Sequence, residues 1–122
     1  MNFLRMNYSE YIKELGNKLK SIKPYKVILF GSYAYGKPNE DSDIDLIVVT
    51  HDDFIPNTFK EHTQIYMKVN AAIKSIRRKI PIDLIVHTLP MHKKFIEQNS
   101  SFAREVTTKG KIIYEANNKA MA

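Results

Sequence analysis

Two carboxylates, Asp43 and Asp45, stand at the start of an otherwise apolar, β-branched run that ends at Val49. On an extended strand, residues two apart point to the same face with Cα atoms about 6.6 Å apart. Like charges so placed call for a cation between them. The pentapeptide Ile-Asp-Leu-Ile-Val occurs at 44–48 and again at 82–86, a lag of 38 residues. That lag matches one strand–helix–strand unit, whose two strands run parallel. If they pair near register, Asp83 lies beside Asp45 at the same strand end, and three carboxylates converge. Hard oxygen ligands on an open face suit magnesium better than zinc. Taken singly, each aspartate reads as an ordinary strand-start or turn residue; the arrangement of three points to metal.

A second feature precedes them. Gly31-Ser32 ends the apolar run Val27-Ile28-Leu29-Phe30 and is followed by Tyr33-Ala34-Tyr35-Gly36, enough for one helical turn. Its free N–H groups and the Ser32 hydroxyl could hold phosphate oxygens, although Gly-Ser alone is more often a plain tight turn. Gly31 to Lys37 also spells the opening of a Walker A loop, Gly, four residues, Gly, Lys. That reading fails at Pro38, which has no hydroxyl for magnesium. Only four residues then separate Pro38 from Asp43, too few for the helix a P-loop requires.

The remaining composition excludes other chemistries. The 122 residues contain no cysteine, which removes disulfides, thiol nucleophiles and thiolate metal sites and fits a reducing cytoplasm. His51, His62, His87 and His92 are scattered, with no pair one helical turn apart to suggest zinc. A net charge of +6 is compatible with phosphate-bearing partners without requiring nucleic acid. Neither a signal peptide nor a membrane-spanning segment is expected.

The elements that must position these residues follow from periodicity. Tyr8, Tyr11, Ile12, Leu15, Leu19 and Ile22 predict a helix over 8–22, with Asn7 as N-cap and Glu10 completing a capping box. Strands are expected at 27–30, 43–49, 82–86 and 112–114, a long amphipathic helix over 57–79, and one or two short helices between 90 and 109. The first strand must run antiparallel to the second for Gly31-Ser32 to reach Asp43. The expected fold is therefore α/β (α+β): one domain over 1–122 with a small mixed sheet of three to four strands, helices packed on it and a loose tail from about 116. The basic cluster Lys74, Arg77, Arg78 and Lys79 reads as a solvated helix end complementing the macrodipole. Phe3, Tyr8 and Tyr11 read as core or partner-packing residues.

Gly31-Ser32, ten residues, Asp43, one residue, Asp45 and a third Asp83 on a later strand resemble the signature of the polymerase-β-type nucleotidyltransferases. The stretch GSYAYGKPNEDSDIDLIVV is similar, more closely, to the minimal nucleotidyltransferases, small prokaryotic antitoxins that act beside a helical partner of the HEPN type. The resemblance spans about residues 8–115. It implies that Asp43 and Asp45 bind two magnesium ions, that Asp83 completes the cluster and activates the acceptor hydroxyl, and that Gly31 with Ser32 grips the triphosphate. Many relatives carry Arg just before the second glycine. This chain has Tyr35 there, so the charged phosphate contact is either missing or supplied by Lys37.

The expectation is thus a magnesium-dependent enzyme that moves AMP from ATP to a hydroxyl, tyrosine being one candidate, on a HEPN-type toxin, in the cytoplasm. Self-association is left open. Two other readings remain: a non-catalytic antitoxin with a vestigial nucleotide site, and an aminoglycoside-type nucleotidyltransferase.

Overall fold

Val27–Phe30 and Ile44–Val49 place apolar side chains on both faces, a pattern that suits strands covered on both sides. In the computed structural model, which describes residues 8–36, 38–39 and 41–116, they form the centre of a four-stranded mixed sheet. The central strands are β1 (Lys26–Phe30) and β2 (Ile44–Val49), and β3 (Ile82–His87) and β4 (Lys111–Glu115) are the edges, in the order β3-β2-β1-β4. β1 and β2 are antiparallel, with Lys26 opposite Val49 and Phe30 opposite Asp45. β2 and β3 are parallel, and the repeated pentapeptides lie side by side, residue for residue, from Ile44↔Ile82 to Val48↔Val86. β4 returns antiparallel along β1, with a bulge where the register shifts between Val27 and Ile28.

Five helices complete the described chain: α1 (Tyr8–Lys20), α2 (Ser32–Tyr35), α3 (Phe59–Arg77), α4 (Leu89–Gln98) and α5 (Ser101–Lys109). Alternation along the strands sorts their side chains between two faces. Val27, Leu29, Leu46, Val48 and Val86 meet Tyr11, Leu15 and Leu19 of α1 and Val69, Ile73 and Ile76 of α3 in one sealed core. Ile28, Phe30, Ile47 and Val49 meet Val106 of α5, with Leu89 and Phe95 of α4 packed alongside. This second face is more thinly covered, since no residue of α4 is fully buried.

The element boundaries differ from expectation for local reasons. α1 ends at Lys20 rather than residue 22, because Lys23 precedes Pro24 and adopts a positive φ of 49°; proline disfavours the helical region for the residue before it. α3 begins after Thr58, whose hydroxyl accepts from the Glu61 N–H at 3.1 Å, while the Glu61 carboxylate accepts from the Asn57 N–H at 2.8 Å. The 90–109 segment is two helices, because Asn99 turns left-handed and Ser100 caps α5 through the Ala103 N–H.

The basic cluster also needs correcting. Lys74, Arg78 and Lys79 are exposed, but Arg77 turns inward. Its Nη1 donates to Tyr66 Oη at 3.0 Å and Asn70 Oδ1 at 2.9 Å, and its Nη2 donates to the Ile82 carbonyl at 2.9 Å. Tyr11 is buried in the core as expected. Phe3, the Asn7 cap, the Tyr8 side chain and the tail beyond Ala116 lie outside the described residues. No helix among the described residues is long and apolar enough to cross a membrane.

Candidate active site

The sheet brings Asp43, Asp45 and Asp83 to one end of the thinly covered face. Asp45 and Asp83 are direct partners in the parallel ladder, and Asp43 stands two residues ahead of Asp45, just before β2 begins. The Ile44 N–H donates to the Pro81 carbonyl at 3.0 Å, which ties the two strand starts together. Asp43 and Asp83 are exposed and Asp45 is half-buried.

The electrostatics follow from that placement. Partial burial, then the Asp83 and Asp43 charges, and then a hydrogen bond with Asp83 push the Asp45 carboxyl from 3.8 up to about 6. A carboxyl raised by like-charged neighbours gains from any cation that relieves them. The donor set is all carboxylate and therefore fits a hard divalent ion. It is an open cluster: among the described residues, no three carboxylate or imidazole groups are gathered closely enough to enclose an ion by themselves.

Gly31 lies directly against this cluster. Its φ is +74°, and a Cβ built there would fall 2.0 Å from Asp45 Oδ2 and 3.0 Å from Asp45 Cγ. Only glycine meets both demands. The Gly31 carbonyl accepts from the Ala34 N–H at 2.9 Å and the Tyr35 N–H at 3.2 Å, which winds the chain into α2, with Ser32 half-buried as its first residue. The Tyr35 hydroxyl donates to the Glu105 carboxylate of α5. Burial, followed by the Glu105 hydrogen bond, raises the Tyr35 pKa. Lys37 lies outside the described residues.

The histidines are less scattered than their spacing suggests. Thr88 caps α4 immediately after β3, and the turn folds His92 back onto His87, with Nδ1 atoms 3.0 Å apart. The pair joins an aromatic row that runs through Phe95 and Phe102 to Phe30. Burial pushes the His87 pKa down to about 4, helped by His92 and His62, and burial lowers that of His92, helped by Lys26. The sequence signal for the pair was the capping threonine between a strand and a Pro-containing helix start. A groove of about 450 Å³ beside His92 is lined by Lys26, Ile28, Leu89, Val106 and Ile112. It lies at the far end of β1 from Gly31, away from the carboxylates.

Residues 10–119 match the family described as polymerase beta, nucleotidyltransferase. A Methanocaldococcus jannaschii protein named putative protein adenylyltransferase is 37% identical over 114 residues, covering 89% of this chain and 100% of the relative. A second protein of that name from the same organism is 34% identical, covering 83% and 100%. Among solved structures, a Sulfolobus solfataricus protein described as a putative nucleotidyltransferase superposes with a TM-score of 0.57 at 17% identity, covering 88% of this chain and 83% of the other. A toxin–antitoxin structure with AMP-PNP gives 0.50 at 20% identity, covering 90% and 77%. At such identities these two report on fold alone. The chain belongs to the polymerase β nucleotidyltransferase family, and its activity is that of a nucleotidyltransferase.

Proposed function

We propose that the chain transfers AMP from ATP to a hydroxyl on a helical toxin of the HEPN type and thereby acts as its antitoxin. The observation that carries this reading is the in-register pair Asp45 and Asp83, with Gly31 packed against Asp45. The names of the Methanocaldococcus relatives support the adenylyl group and the protein acceptor.

In this reading Asp43, Asp45 and Asp83 are the residues that would hold two magnesium ions. Magnesium, when bound, neutralises the carboxylates and the phosphate charge and favours the ionised form of an attacking hydroxyl. Gly31 and Ser32 hold the triphosphate through backbone N–H groups and the Ser32 hydroxyl, close to Asp45 because Gly31 has no side chain. Asp83, exposed on the edge strand, accepts the proton of the acceptor hydroxyl. The new O–P bond forms at the α-phosphorus as the α–β phosphoanhydride breaks, and pyrophosphate leaves. The protein contributes position and electrostatics rather than a covalent intermediate.

Incubating the purified chain with ATP, magnesium and the product of a small, all-helical neighbouring reading frame should yield an adenylylated partner by intact mass. Asp43→Asn and Asp45→Asn should abolish the product. An unmodified partner across all four nucleotides and several divalent metals would overturn the proposal. Tyr35, engaged with Glu105 in a place where many relatives carry Arg, favours a second reading, a non-catalytic antitoxin. A double Asp43→Asn, Asp45→Asn variant that protects cells as well as the wild type would support it.

A further inference from the structure

The Tyr35–Glu105 contact joins residues 70 positions apart, and the chemistry above makes no use of it. We propose that it is a strap that holds the Gly31–Ser32 turn in place, which makes Glu105 a positioning residue for the nucleotide site. The inference rests on the functional reading above.

The turn needs support from outside. α2 has four residues, only Ala34 of which is buried, and a single helical turn is unstable by itself because nucleation fixes several residues for one bond. Its closing bonds are those from Ala34 and Tyr35 to the Gly31 carbonyl and from Gly36 to the Ser32 carbonyl at 3.0 Å.

α5 can supply that support. Its Ala103 and Val106 are buried, and Phe102 meets Phe30 edge-on with ring centroids 5.3 Å apart. Gly110, just beyond it, is so close to β1 that a Cβ there would fall 3.0 Å from the Ile28 side chain and 3.3 Å from the Leu29 carbonyl. From this seated helix two side chains one turn apart reach Tyr35. Glu105 accepts from the phenol, and Lys109 Nζ lies 5.7 Å from the centre of the ring.

The strap acts on the site through the backbone. The Tyr35 N–H bonds to Gly31, and Gly31 packs on the Asp45 carboxyl. A turn free to rotate would lose the alignment between its N–H groups and the carboxylates. Tyr35 is thus the anchor through which α5 holds the turn.

The test uses the full chain as wild type, Tyr35→Phe, Glu105→Ala, the double variant, and Glu105→Gln, which keeps an acceptor. Hydrogen exchange without nucleotide should be about 3–10-fold faster at the amides of Ala34, Tyr35 and Gly36 in Tyr35→Phe and Glu105→Ala, as expected for the loss of one exposed hydrogen bond. The Val106 and Gly110 amides should be unchanged. Calorimetry with magnesium-ATP should show Kd raised by a similar factor, with no further loss in the double variant and recovery in Glu105→Gln. Unchanged exchange at residues 34–36 would overturn the strap, and faster exchange with unchanged Kd would overturn its role at the site. A wild-type chain that binds no magnesium-ATP overturns the functional reading and with it that role, while the exchange measurement decides separately whether the strap exists.

Discussion

Arg77, in the last turn of α3, donates through Nη2 to the carbonyl of Ile82 at 2.9 Å, and Ile82 is the residue before Asp83. One guanidinium thus links the end of the crossover helix to the strand start that carries a candidate-site carboxylate. With Tyr66 and Asn70 also paired to its Nη1, its removal leaves three polar groups without their partner.

Arg77→Ala should therefore lower unfolding stability by about 1–3 kcal/mol, the usual cost of unsatisfied, partly buried groups. Arg77→Lys should recover only part of this, because an ammonium cannot reproduce the forked geometry. Arg78→Ala, at an exposed neighbour, should stay within about 0.5 kcal/mol. Urea denaturation of the three variants checks the contrast, and equal losses at 77 and 78 would contradict it.

Glycine substitutions should split by site. Gly31→Ala puts a methyl group onto the Asp45 carboxylate at a φ of +74° and should cost about 1–3 kcal/mol in strain, together with nucleotide binding. Gly16→Ala, in α1 with nothing within 4 Å of the added carbon, should gain about 0.5–1 kcal/mol. Thermal melts and ATP titrations of both proteins test the pair of outcomes.

The Asp45 carboxyl, raised from 3.8 to about 6, holds its proton more tightly in the folded than in the unfolded chain. Its contribution to stability is therefore full below about pH 3.8 and is lost as pH rises towards 6. Without divalent ions, Asp45→Asn should be more stable than the wild type at pH 7.5. The gain should vanish near pH 3.5, and on the proposed function the same variant should lose metal-dependent ATP binding. Chelating magnesium with EDTA should abolish ATP binding by the wild type. ATP bound equally well in EDTA would remove the metal from the account.

His87 works in the opposite direction. Its folded pKa of about 4 lies below the ordinary 6.5, so its stabilising effect is complete above pH 6.5 and is lost as the pH falls towards 4. Burial sets this pKa first, with the His92 and His62 charges adding to it, and His92 itself is lowered by burial and then by Lys26. In an Asp45→Asn background, which removes the opposing slope, stability should fall over this window. Adding His87→Gln should flatten the fall. A curve left unchanged by His87→Gln would rule out this histidine as the source.

What could be read in the sequence was whatever a strand encodes locally. The repeated Ile-Asp-Leu-Ile-Val predicted the β2–β3 register, and with it the Asp45–Asp83 pairing, because a parallel ladder in register matches identical side-chain patterns. Gly31 was legible as a turn, but not its contact with Asp45, which depends on how β1 meets β2. The inward turn of Arg77 was hidden inside a run of charges, where nothing in one dimension separates a buried guanidinium from a solvated one. The Tyr35–Glu105 contact was hidden for a similar reason: it is made by a helix folding back over the sheet and leaves no periodicity, whereas the His87–His92 pair had the Thr88 cap as a local signal that the even scatter of the histidines obscured.

The order β3-β2-β1-β4 also bears on how the chain is made. β1 leaves the ribosome well before β4, yet its outer edge is completed by β4, with Lys26 paired to Glu115 and joined to it by an ion pair at 3.5 Å. Until then a central apolar strand presents unpaired N–H and C=O groups to whatever strand comes near. Pairings this distant in sequence slow folding and lengthen the exposure of such an edge. The nascent protein therefore passes through an interval of aggregation risk that ends only when Lys111–Glu115 docks, and substitutions that weaken β4 should show first as lower soluble yield during synthesis.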